Sequence, residues 1–146
     1  MATRWRIGPA IIYLILAFAI VAAGLVLRLA PLGLPAGVVK WAGSVLWAVM
    51  VYLLLAAMLP RLGSSRIALI AGLVAALVEL SRLYHAPGLD AFRHSLAGAL
   101  LLGRVFSPWH FVVYWAAIVC AALVDAVFLR RRAVNPNPFC LTGKIR

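Results

Sequence analysis

Charge is what this sequence has least of. Only 12% of its residues are charged, and only three of its 146 residues are acidic: Glu79, Asp90 and Asp125. A soluble domain carries roughly a quarter charged residues and about half apolar ones. With 66% apolar residues this chain could not hide its side chains from water. That excludes a soluble globular domain and predicts an all-α, polytopic integral membrane protein.

Other absences narrow the chemistry. The two cysteines, Cys120 and Cys140, stand apart, one inside an apolar run and one in the tail. Neither a disulfide framework nor a metal site follows from them. There is no Gly-x-Ser-x-Gly, no phosphate-binding glycine loop, no Gly-x-Gly-x-x-Gly and no spaced His–Glu–His set, so neither cofactor nor metal is expected. No repeat of 20–50 residues is present.

The formal net charge of +11 would suggest nucleic acid in a soluble protein. Here the basic residues sit at the ends of apolar runs, where anionic head groups attract them. No basic stripe interleaves with exposed aromatics, so no nucleic-acid partner is expected and membrane lipids are.

The apolar runs set the topology. Ile7–Leu27 holds 21 residues without a charge. As α-helix that is about 31 Å, enough for a hydrocarbon core of about 30 Å and too long for the apolar part of a signal peptide. It is read as a retained first span, with Pro9 in its first turn, closed by Arg28 and a loop rich in proline and glycine. Trp41–Leu59 supplies a second span of 19 uncharged residues. Trp41 and Trp47 near its start suit an aromatic belt at head-group level, and Pro60-Arg61 stops it. Gly24, Gly43 and Gly72 are expected to permit close helix packing.

The third run differs. Ile67–Val78 has 12 uncharged residues, too few to cross. To span, the helix must continue through Glu79 and Arg82 to about Tyr84, with Pro87-Gly88 ending it. Residues 89–103 are read as a short amphipathic or re-entrant helix, apolar on the side of Leu89, Phe92, Leu96 and Leu100 and polar on that of Asp90, Arg93 and His94. A fourth span runs from Trp109 to Leu129. The chain thus divides into a four-helix membrane domain over residues 1–132 and a tail, 133–146, expected to be disordered.

With both termini on one side, that side carries Arg4, Arg6, Arg61, Arg66, Arg130, Arg131, Arg132, Lys144 and Arg146. The other carries Arg28, Lys40, Arg82, Arg93 and Arg104. The imbalance predicts cytoplasmic termini and an outward-facing stretch from Glu79 to His94.

That stretch concentrates what polarity the spans possess. Glu79 and Arg82 share a helix face and can pair. Arg93 and His94 reach the same place if the amphipathic helix folds over the bundle mouth, and Asp90 can pair with either. His110 and Tyr114, four residues apart, open the last span on the same membrane side. Two readings stay open: a local ion pair that finishes the third helix, or a polar pocket built from Glu79, Arg82, Tyr84, His85, Asp90, Arg93, His94, His110 and Tyr114. Asp125 is expected to meet the arginines that follow it, or lipid amines.

The order Glu79-x-x-Arg82-x-Tyr84-His85-Ala86-Pro87-x-Leu89-x-x-x-Arg93, then Leu102-Gly103-x-x-Phe106-Ser107, then Tyr114, resembles a family of short four-span bacterial inner-membrane proteins. That family is catalogued as a domain of unknown function and is similar in layout to the VanZ-like proteins. The resemblance covers residues 7 to 129, its specific part 79 to 114. The family pattern has Gln where this chain has Arg82, Asp where it has His110, and often Gly where it has Ala117. Glu79, Tyr84, Pro87, Arg93 and Tyr114 match directly. The resemblance implies a bacterial inner-membrane location and a link to the cell envelope, since VanZ lowers susceptibility to a glycopeptide antibiotic.

The expected activity is binding of an anionic lipid or a lipid-linked envelope component, for which Arg82 and Arg93 are suited. The alternatives are a structural or partner-binding subunit and, less favoured, an enzyme with Glu79 or His94 as general base on a head group. No nucleophile or metal accompanies those bases.

Overall fold

The computed structural model describes residues 8–31, 33–84, 87–95, 98 and 108–129, apart from the side chains of residues 9, 89 and 93. They form five helices and no strand. α1 is Pro9–Leu29, α2 Ala36–Met58, α3 Ser64–Ser81, α4 Pro87–His94 and α5 Trp109–Val124, the last continuing as a π-helical turn over Asp125–Leu129. Among the described residues four helices are long and apolar enough to cross a membrane, α1, α2, α3 and α5 with its π-turn; the four spans were expected, but α3 gains its length by starting at Ser64 rather than by continuing to Tyr84. α4, Pro87–His94, overlaps only the start of the amphipathic or re-entrant helix expected over residues 89–103; most of residues 96–107, the tail and His85 lie outside the described residues.

Local chemistry explains the boundaries. Pro9 begins α1 where its missing N–H costs nothing. Between α1 and α2 the chain turns through Gly33 at φ 62°, a left-handed conformation that glycine adopts without penalty. α3 ends three residues sooner than expected. The amides of Arg82, Leu83 and Tyr84 bond the carbonyls of Glu79, Leu80 and Ser81 at 3.2, 3.0 and 3.1 Å, so the helix closes in a tight last turn. Pro87 does not end α3 but opens α4, where a proline at the first helical position is favourable.

The bundle is asymmetric. α2, α3 and α5 pack against one another, while α1 packs chiefly on α2. The core is made of small residues: Ala48 and Ala56 on α2, Ala71 and Ala75 on α3, and Ala117 on α5, with Ile67 and Ile118 filling the gaps. Between helices in lipid, where apolar burial drives little, small faces allow the close approach that dispersion needs. The tightest point is α3 against α5, where a Cβ added at Gly72 would fall 2.5 Å from the Trp115 ring. Gly24 and Gly43 have no such constraint, so of the three glycines only Gly72 serves close packing.

Candidate functional site

Two buried polar clusters interrupt this apolar core, one at each end. The first forms where α3 finishes and α5 starts. Glu79 is fully buried and Arg82 is 8% exposed. Their spacing of three residues places Arg82 Nη1 2.5 Å from Glu79 Oε2. From α5, His110 brings Nδ1 to 3.1 Å from Arg82 Nη1 and to 3.2 Å from Glu79 Oε1. One turn on, the Tyr114 hydroxyl accepts from Arg82 Nη2 at 3.2 Å.

The charges balance within this group. A carboxylate in a transmembrane helix costs about 2.5–3.5 kcal/mol at the centre, and a guanidinium a similar amount. Paired, they form a neutral unit, with His110 Nδ1 beside Arg82 Nη1 and Glu79 Oε1 and the Tyr114 hydroxyl on Arg82 Nη2. Removing either charge would take from the other, still buried, its paired charge.

α2 walls the cluster with aromatics. The Trp41 ring meets the His110 imidazole edge-on, with centroids 5.6 Å apart, and Trp47 packs on Tyr114 at 5.2 Å. Trp41, 38% exposed, touches the site with one edge while keeping a surface position, whereas Trp47, expected in the same belt, turns inward, its Nε1 buried without a hydrogen-bond partner among the described residues. His110 Nε2 is likewise buried and without such a partner. Since Nδ1 faces α3, Nε2 lies on the far side of the ring from the ion pair.

Of the nine residues predicted for a pocket, the described contacts join four: Glu79, Arg82, His110 and Tyr114. Tyr84 is 67% exposed, so its ring lies outside the buried cluster; it follows the last turn of α3, where the chain has already left the core. On α4, Asp90 is half-buried and His94 exposed, and Arg93 is placed by its backbone only. His85 lies outside the described residues.

The second cluster was missed. Asp125 does not lie open to lipid amines: it is 1% exposed and points into the bundle. It accepts hydrogen bonds from the hydroxyls of Tyr13 on α1, Tyr52 on α2 at 2.6 Å and Ser64 on α3 at 2.8 Å. One carboxylate thus ties four helices. Its position beside the first turn of α3 is also favourable, since free amides there give the helix end positive character. Glu79 lies fifteen residues beyond Ser64 on α3, so the two clusters are about 22 Å apart along the bundle. Among the described residues no group of three or more His, Cys, Asp or Glu could hold a metal ion.

No curated protein and no solved structure matches the chain. One family model does, over residues 33–129, from the loop before α2 to the end of the π-turn. Both arms of the Glu79 cluster fall inside that match, as does Asp125, while α1 and its Tyr13 precede it. The chain belongs to the DUF2809 family, proteins of unknown function.

Proposed function

We propose that this is a small multi-pass protein of the bacterial inner membrane whose α3–α5 cluster binds the head group of an anionic lipid or a lipid-linked envelope component. The observation that supports the reading most is His110. Its Nδ1 lies within hydrogen-bond distance of Glu79 Oε1 and Arg82 Nη1 and can bond one of them, while its buried Nε2 has no partner among the described residues. A buried polar nitrogen left open costs free energy that a ligand would recover. The distribution of basic residues puts both termini in the cytoplasm and this cluster toward the outer leaflet. α4, with Asp90, Arg93 and His94, follows the cluster directly in the chain and belongs to its approach. The layout shared with VanZ-like proteins enters as a resemblance and points the same way, toward the envelope.

A second reading, a structural or partner-binding subunit, is favoured by how fully Arg82 is engaged inside the protein. Its guanidinium already serves Glu79, His110 and Tyr114. Native mass spectrometry of the detergent-released protein separates the two. The ligand-binding reading expects a co-purifying anionic lipid that is lost in Arg82→Gln while the protein stays folded. A bare wild-type protein, with Arg82→Gln merely less stable, supports the subunit reading instead. Reporter fusions at either terminus test the orientation, and periplasmic activity would refute it.

A further inference from the structure

Beside His110 the lipid-facing surface carries a shallow hollow. It has a volume of about 290 Å³ and is lined by Trp41 of α2 and by Trp109, Val112 and Val113 of α5. Its lining is wholly apolar, and Trp41 is shared: the same ring that walls the hollow meets the His110 imidazole. At the rim, Lys40 Nζ lies 5.5 Å from the centre of the Trp41 ring. An apolar slot, a cation near one of its walls and, against the same Trp41 ring, an imidazole whose buried Nε2 has no partner among the described residues thus lie close together.

We propose that this α2–α5 hollow is the seat of one bilayer phospholipid, with its chain against Trp41, Trp109, Val112 and Val113, its anionic head at Lys40, and a head-group oxygen on His110 Nε2. The inference rests on the lipid-binding reading above and fixes where on the protein that lipid sits. Each part answers a different portion of such a molecule. The hollow faces the acyl chains of the surrounding bilayer, so its occupant comes from that bilayer. Lys40 supplies charge at head-group depth, where each basic residue attracts anionic lipid by about 1 kcal/mol.

His110 Nδ1 can accept from Arg82 Nη1 or donate to Glu79 Oε1, and the proposed head-group bond uses the first arrangement, in which the ring proton is on Nε2. Nε2–H is then a donor suited to a phosphate oxygen. Arg82 acts here as a positioning residue, through the imidazole.

The test uses the full-length protein in vesicles of equal phosphatidylglycerol and phosphatidylcholine, released and read by native mass spectrometry. Three variants probe three parts. Val112→Trp fills the hollow from its exposed rim, Lys40→Ala removes the charge, and His110→Asn keeps a polar atom near Nδ1 while deleting Nε2. The wild type is expected to retain one phosphatidylglycerol in preference to phosphatidylcholine. Each variant is expected to lose about tenfold or more of that retention with unchanged circular dichroism.

If Arg82→Gln sheds the lipid but Val112→Trp and His110→Asn hold it as the wild type does, the lipid sits elsewhere; the hollow is refuted and the binding reading survives. If the wild type holds no lipid, both fall. Equal retention of phosphatidylcholine, sensitive to Val112→Trp but not to Lys40→Ala, overturns the assignment of an anionic head.

Discussion

Replacing Asp125 by alanine removes the one acceptor shared by hydroxyls from three other helices. Its size can be worked from the structure. A hydrogen bond to a charged group contributes about 1.5–3 kcal/mol net, so three sum to about 4.5–9 kcal/mol. Against this stands the cost of keeping a carboxylate in a membrane helix, about 2.5–3.5 kcal/mol at the centre, which the substitution relieves. The difference leaves Asp125→Ala less stable by roughly 1–6 kcal/mol.

Tyr52→Phe removes a single donor and is expected to cost about 1.5–3 kcal/mol. Because Tyr13 and Tyr52 bond different oxygens of one carboxylate, the pair Tyr13→Phe and Tyr52→Phe should be non-additive by about 0.5 kcal/mol or more. The assay is unfolding by sodium dodecyl sulfate in mixed micelles, followed by circular dichroism. If Asp125→Ala and Tyr52→Phe both unfold within about 0.5 kcal/mol of the wild type, the carboxylate does not hold the helices together and the reasoning fails.

Three further outcomes are expected. Glu79→Ala strands Arg82 in the core and should cost about 3–5 kcal/mol in the same assay, whereas Glu79→Leu with Arg82→Met should be much less harmful than either single change. Gly72→Ala drives a methyl into Trp115 and should destabilise by about 1–3 kcal/mol, with recovery when Trp115→Leu clears the space. Tyr84→Ala, at an exposed position, should shift stability by no more than about 0.5 kcal/mol and leave lipid retention unchanged; a loss of lipid would bring Tyr84 into the site.

What could be read from the chain follows from the range of the forces involved. The spans were legible because membrane thickness converts directly into residue count, and Glu79 with Arg82, or His110 with Tyr114, because helical spacing is local. That the two pairs meet depended only on knowing which helix ends lie on the same side. The hydroxyl partners of Asp125 left no such trace. They lie 112, 73 and 61 residues away, and a tyrosine near a span end reads equally well as an interfacial anchor. Trp47 was misread for the same reason. Its depth suited a belt, and only the rotation of α2 about its axis decides whether a ring meets lipid or Tyr114. The tight last turn of α3 was hidden too, since the run from Leu80 to Tyr84 carries no breaker and Pro87 pointed to the wrong element.

The bond between Tyr13 and Asp125 has a consequence in time as well as in space. Its two ends are 112 residues apart, close to the first and last positions of the spanning region. At synthesis rates of about 5–20 residues per second, Tyr13 is made some 6–22 s before Asp125. Tyr52 waits a shorter while and Ser64 less again. Through that interval the early helices lack the carboxylate that their hydroxyls bond in the finished bundle. The acid near the end of the last span is thus the last part of the four-helix tie to be made. A chain cut short before residue 125 would lack it.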